Sequence, residues 1–315
     1  MIGSAIRQLA AAREVALLSA AFDEAIVQIW DLARQTQIGE FRTQFAFGGC
    51  NLAFEPKGTY VVAGNSAKNG TIAAYEVLSG KEAWKRNGIR YPTHLRFGPS
   101  GHQISCTIDN RVVELLDTKT GSTNRVLKGV RRYFEGQSGQ TLAVPSSSSA
   151  YLLRTGATAP VAEFQIERLT FAVLDAAFGP DCLYLTESTG PLRCIDCATG
   201  SERWRFNPPA GSHVLRLHYN ADDQMTYGVL WHYEKGAFRY LVRFDPRTGE
   251  MEHISALSSW EEEFIASDHR LVTSSGEIVD LRSGDIVGSL SFPKREYPDK
   301  LSRDREKLVT ARMFP

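Results

Sequence analysis

The sequence predicts an all-β fold in which one unit of four antiparallel strands is repeated seven times. Three observations carry that prediction. A hydrophobic strand, an acid, three further residues and usually a Gly recur along the chain, with acids at Asp31, Glu76, Asp117, Asp196, Asp245 and Asp280. Apolar and polar residues alternate around these positions with the period of a half-buried strand, and helical periodicity is not sustained. With Arg154 taken as the slot of a divergent unit, YLLRTGATAPVAEF, the slots recur at about 41 residues, the length of four short strands and their turns.

The first unit can be laid out in full. Its strands are Ile6–Ala10, Val15–Ala20, Ile26–Asp31 and Gln37–Phe41, with Asp23 in the turn between the second and third. The Ala-rich stretch 5–18 also suits a helix by composition, but it leads directly into the first repeat and is read as strands. Asp-x-x-Thr-Gly at 117–121, 196–200 and 245–249 is a hairpin loop that needs one residue with positive φ. Its Asp accepts hydrogen bonds from turn amides, and Pro246 fits just after the Asp, where φ is near its fixed value. Gly80 and Gly284 end the same loop in their units, whereas Gln35 occupies that slot in the first.

A four-stranded sheet with two apolar faces cannot bury both alone, and stacking twisted sheets around an axis buries each against its neighbour. The expected fold is therefore a β-propeller of seven blades, with Trp30, Tyr75, Leu116, Leu153, Ile195, Phe244 and Val279 in the inter-blade cores. Blades run roughly 5–42, 50–88, 92–128, 131–165, 170–207, 213–255 and 261–292, all in one domain. The tail 293–315 is a closing strand or part of an extra blade.

Trp30-Asp31 ends a third strand, FEPKGTYVVAG (54–64) and FGPSGHQISCT (97–107) join first to second strands, and on these residues the chain resembles the WD-repeat propellers, whose segments at that place they look like. The match is degenerate: Trp-Asp occurs once, and the one Gly-His, Gly101-His102, lies after a first strand. SGKEAW and TGSERW place Trp84 and Trp204 as in quinoprotein-type propeller repeats. Both resemblances imply the same architecture.

Composition narrows the function. A formal net charge of zero and 43% hydrophobic residues give no global field for nucleic acid or membrane. Arg7, Arg13 and Glu14 break any signal-peptide core, and five cysteines without such a signal read as reduced thiols in a cytoplasmic protein. Cys194 and Cys197 form a Cys-x-x-Cys on a strand and its turn, where residues three apart face opposite ways, so no metal or redox site is expected. No catalytic residue, cofactor site or metal site is assigned.

The WD-repeat resemblance implies binding at the loops joining one blade to the next. Three of these share a basic-plus-Tyr composition: Lys85, Arg86, Arg90 and Tyr91; Lys128, Arg131, Arg132 and Tyr133; and Lys294, Arg295 and Tyr297. Trp260 lies in another. Arg and Tyr are enriched in binding hot spots, and the expected partner is a protein presenting an acidic segment. The leading expectation is a non-enzymatic interaction scaffold or complex subunit, of bacterial type. The alternatives are a quinoprotein-like ligand-binding or catalytic propeller and a toxin-neutralising immunity protein.

Overall fold

A computed structural model of the chain describes residues 6–12, 15–22, 25–43, 50–145, 149–154, 160–165, 173–187, 190–232, 238–257, 264–266, 269–273 and 275–292. These residues form seven four-stranded antiparallel sheets, each in sequence order. The first holds β1 (Ile6–Ala11), β2 (Leu17–Phe22), β3 (Ile26–Asp31) and β4 (Thr36–Arg42). The second holds β5 (Cys50–Phe54), β6 (Tyr60–Asn65), β7 (Gly70–Glu76) and β8 (Glu82–Ile89). The third holds β9 (Pro92–Phe97), β10 (Gln103–Ile108), β11 (Val112–Asp117) and β12 (Thr123–Lys128). The fourth holds β13 (Val130–Glu135), β14 (Gln140–Pro145), β15 (Ser149–Arg154) and β16 (Ala162–Gln165). The fifth holds β17 (Val173–Phe178), β18 (Cys182–Glu187), β19 (Leu192–Asp196) and β20 (Glu202–Phe206). The sixth holds β21 (Ser212–Asn220), β22 (Met225–His232), β23 (Phe238–Phe244) and β24 (Met251–Leu257). The seventh holds β25 (Phe264–Ala266), β26 (Arg270–Val272), β27 (Glu277–Asp280) and β28 (Ile286–Ser289). Within the Ala-rich start, Ile6–Ala11 is strand and the next strand begins at Leu17, as the repeat predicts.

The turn device is the one the sequence announces. Asp31, Asp117, Asp196, Asp245 and Asp280 each accept two backbone amides of their own loop through Oδ1, at 2.7–3.1 Å. The loop then closes with the Gly amide donating to the acid's carbonyl, as at Gly121 and Gly249 (2.9 Å). Gly121 and Gly249 have φ of +68° and +74°, and a Cβ on either would lie 2.6 Å from the Trp84 or Trp204 ring of the preceding sheet. Glycine is thus required there by conformation and by close approach together.

Six apolar clusters fill seams between neighbouring sheets. Trp30, Tyr75, Leu116, Ile195, Phe244 and Val279 are buried in them, as expected. Leu153 is the exception: it is half-buried, and Leu152 takes the core position. The reason lies in its seam. Among the described residues the fourth sheet meets the third through polar contacts, with Thr107 Oγ1 donating to Arg131 O (2.8 Å) and Gln103 Nε2 to Glu135 Oε2 (3.4 Å).

Trp84 and Trp204 lock two other seams. Trp84 Nε1 donates to Thr118 O at 2.7 Å and Trp204 Nε1 to Pro246 O at 2.8 Å, each reaching the turn of the next sheet. The ring closes differently. The inner strand β25 lies beside β1, and Leu18, Trp30 and Leu32 of the first sheet pack with Val272, Ile278 and Leu290 of the seventh. Phe292 sets its ring edge-on to Trp30 at 5.5 Å. Gln35 takes φ of +56° in the glycine slot. Its side-chain amide donates to Val287 O (3.3 Å) and accepts from Ser289 N (3.4 Å). Gly288, between those two residues, leaves the room: a Cβ there would collide with the Gln35 amide. Gly288 pairs with Ile278 as Trp84 pairs with Ala74 and Trp204 with Cys194. The closing seam has therefore exchanged the large and the small partner. The predicted closing segment, 293–315, lies outside the described residues.

Candidate functional site

Each sheet ends at its outer strand and the next begins at its inner strand, so all connections between sheets emerge on one face of the ring. The structure divides the residues predicted to share that face. Lys85 and Arg86 belong to outer strand β8, where Arg86 pairs with Glu114 at 3.0 Å and donates to Thr123 Oγ1 at 3.2 Å. Arg90 and Tyr91 are in the connection; Arg90 pairs with Asp109 at 3.2 Å and Tyr91 is exposed. Lys128 ends β12 and Gly129 alone separates it from β13, so Arg131, Arg132 and Tyr133 are strand residues where a loop was predicted. Arg131 remains exposed. Arg132 and Tyr133 are half-buried, and Tyr133 borders the axial channel. Trp260, Lys294, Arg295 and Tyr297 lie outside the described residues.

Two places collect chemistry. The first is a hollow on the connection face at the polar seam, formed by Arg111, Val112, Val126, Lys128, Gly129 and Arg131. Val126 is 47% exposed, so an apolar floor is ringed by three cationic side chains.

The second is the axial channel, a cavity of about 420 Å³ bordered by the inner strands. Arg96 of the third sheet lies over the Phe134 ring of the fourth at 4.5 Å and pairs with Asp175 of the fifth at 3.1 Å. Asp175 Oδ2 accepts the Leu217 amide of the sixth at 3.1 Å. One buried carboxylate thus ties three sheets across the opening. Inner strands β9 and β21 each carry a bulge, at which His94 and Arg216 have φ of +51° and +53°. Asn51 Oδ1 accepts the His94 amide at 2.9 Å, so each bulge is held by the preceding sheet. Burial, then the charges of Arg132 and Arg96, push the His94 imidazole down to about 4, which leaves it neutral at pH 7. Burial likewise lowers Arg132, with Arg96 and Arg216 adding repulsion and Asp175 opposing them.

The Cys-x-x-Cys behaves as its strand position requires. Cys194 packs between the fifth and sixth sheets and Cys197 between the fourth and fifth. Burial pushes the Cys197 thiol up to about 12. The neighbour of Cys194 is Cys182 on the adjacent strand, to whose Sγ Arg203 donates at 2.9 Å. The two cysteines lie twelve positions apart, so no short motif marks them.

No family model matches the chain, and no curated protein matches it. Solved structures do. The β-propeller domain of Cps50 (Swd1) from Myceliophteria thermophila aligns over 90% of this chain and 95% of that one, with TM-score 0.63 and 13% identity. BamB from Moraxella catarrhalis aligns over 90% of each chain, with TM-score 0.58 and 14% identity. The dihydro-heme d1 dehydrogenase NirN, in complex with DHE, aligns over 94% of this chain and 66% of its own, with TM-score 0.59 and 16% identity. At these identities the likeness is one of fold alone, and the fold is a seven-bladed β-propeller.

Proposed function

We propose that the chain is a non-enzymatic interaction scaffold, a subunit that docks an acidic segment of a partner protein on the connection face. One observation carries the reading: Arg111, Lys128 and Arg131 surround the valine-floored hollow at the seam between the third and fourth sheets. Exposed apolar area supplies burial and the cationic rim selects acidic partners. A rigid ring presenting loops of unlike sequence suits such a role, because function resides in sites carried by the fold. Arg86 and Arg90 contribute less, since each is engaged by an acid of its own chain.

The test begins with affinity purification of the chain from its native host and identification of the co-purifying protein. Its affinity is then measured by calorimetry for the native chain and for Lys128→Glu with Arg131→Glu, at two salt concentrations. The reading requires at least about tenfold weaker binding in the variant, and wild-type binding that weakens with salt. Equal affinities with equal melting temperatures remove the hollow from consideration.

A further inference from the structure

We propose that the acidic partner segment docks as an added strand along the outer edge of β12, with an apolar residue opposite Val126 and an acid opposite Lys128. The inference rests on the docking role proposed for the hollow, and it specifies the shape and sequence of what fills it.

One hydrogen bond fixes which way the edge faces. The Gly129 amide donates to Arg111 O at 2.7 Å. From there β12 runs antiparallel to β11, with Lys128 opposite Val112, Leu127 opposite Val113 and Val126 opposite Glu114. Hydrogen-bonded and non-hydrogen-bonded pairs alternate along such a ladder. Gly129 and Leu127 therefore turn their backbone groups toward β11, while Val126 and Lys128 turn theirs outward. Among the described residues nothing bonds those outward groups, whereas the Gln35 amide covers the outer edge of β28. The approach is open: every residue of β12 except Leu127 is exposed, and a Cβ on Gly129 would meet no atom within 4 Å.

Charge decides what this edge accepts. Arg111, Lys128 and Arg131 have no acid partner among the described residues. Glu114, opposite Val126, is already held by Arg86 at 3.0 Å and by the Thr123 hydroxyl at 2.9 Å. Cationic side chains on an edge repel a copy of the same strand, which disfavours a second copy of this chain and favours an acidic strand. Successive strand residues point to opposite faces, and directly opposed side chains of neighbouring strands are the ones that interact. Val126 and Lys128 share a face, so their partners are also two positions apart. The segment is apolar-x-acid in one direction and acid-x-apolar in the other. Main-chain hydrogen bonds then supply affinity and the alternate side chains supply selection.

The experiment titrates the native chain by calorimetry, at constant ionic strength, with the capped peptide Thr-Glu-Thr-Val-Thr-Glu-Thr, whose palindromic order suits either direction. Two analogues keep its charge: one is N-methylated at Glu and Val, the other at Thr. Only one of these sets of amides can face β12. Saturable binding is expected, weakened at least about tenfold in one analogue and little changed in the other. Amide hydrogen exchange at Val126 and Lys128, followed by NMR, slows at least about tenfold in the complex. Two analogues that bind alike, or exchange that does not slow, overturn strand addition and leave docking at the hollow standing. Equal affinity of the peptide for the native chain and for folded Lys128→Glu with Arg131→Glu overturns both. No saturable binding of the peptide overturns strand addition, and the co-purified partner then decides the docking role separately.

Discussion

The seam between the second and third sheets and the seam that closes the ring solve one problem with opposite parts. In the first, Trp84 on an outer strand lies against glycine in the next sheet's turn and donates its indole N–H to Thr118 O. In the second, the turn bears the side chain, Gln35, and the outer strand bears the glycine, Gly288. The tryptophan seam combines large apolar burial with one well-directed hydrogen bond. The closing seam receives only a polar clasp at that position and leans on Trp30, whose Nε1 finds no acceptor among the described residues. Register thus conserves the joint, while chemistry decides how much each joint contributes.

The largest effects fall on the tryptophan seams. Trp84→Ala and Trp204→Ala each cost about 3–5 kcal/mol in chemical denaturation. The sharper comparison uses phenylalanine. Trp84→Phe strands a buried carbonyl and costs about 1–3 kcal/mol beyond lost packing, an increment that Trp30→Phe lacks because its N–H has no acceptor to lose. Equal increments at Trp30 and Trp84 would collapse the distinction between the seams.

Glycine substitutions come next. Gly121→Ala and Gly249→Ala meet both positive φ and a rigid indole, and each lowers stability by about 2 kcal/mol. Gly288→Ala meets a movable side chain, so Gln35 swings away and about 1 kcal/mol is lost with the clasp. Gln35→Ala loses the same clasp. The double variant therefore costs little more than either single one, and additive losses in that cycle refute the clasp.

Acid produces the smallest difference between the two regions. Hydrogen bonds from the Arg34 amide and side chain hold Asp31 below the usual carboxylate range, and those from the Thr120 hydroxyl and amide do the same for Asp117. A carboxyl depressed in the fold stabilises it above its unfolded value, near 4, and loses that contribution as pH falls through the folded value. Asp31→Asn and Asp117→Asn should flatten the acid limb of a melting-temperature profile below pH 4 to similar degrees. A steeper change at either one would locate acid sensitivity in that seam.

The turn, the repeat and the blade count were legible because Asp-x-x-Thr-Gly encodes local backbone geometry within five residues. Gln35 was visible as a departure from that pattern, but its partner was not, since Gly288 lies far along the chain and carries no motif. Arg132 and Tyr133 were misplaced for a different reason. Two adjacent arginines resemble a loop, yet β13 begins only one residue after β12 and carries both in an inner strand. The tie across the channel was illegible because Arg96, Asp175 and Leu217 belong to three repeats, and only the closed ring brings them together.

All four strands of the first sheet precede residue 43, whereas the side chains that cover its outer face, Val272, Ile278 and Leu290, come more than two hundred residues later. At synthesis rates of roughly 5–20 residues per second, the apolar face bearing Leu18, Trp30 and Leu32 waits on the order of ten seconds or more for its cover. During that interval the nascent chain is an open arc with one sticky end, a natural client for a holding chaperone and a template for mispairing with a second copy on the same messenger.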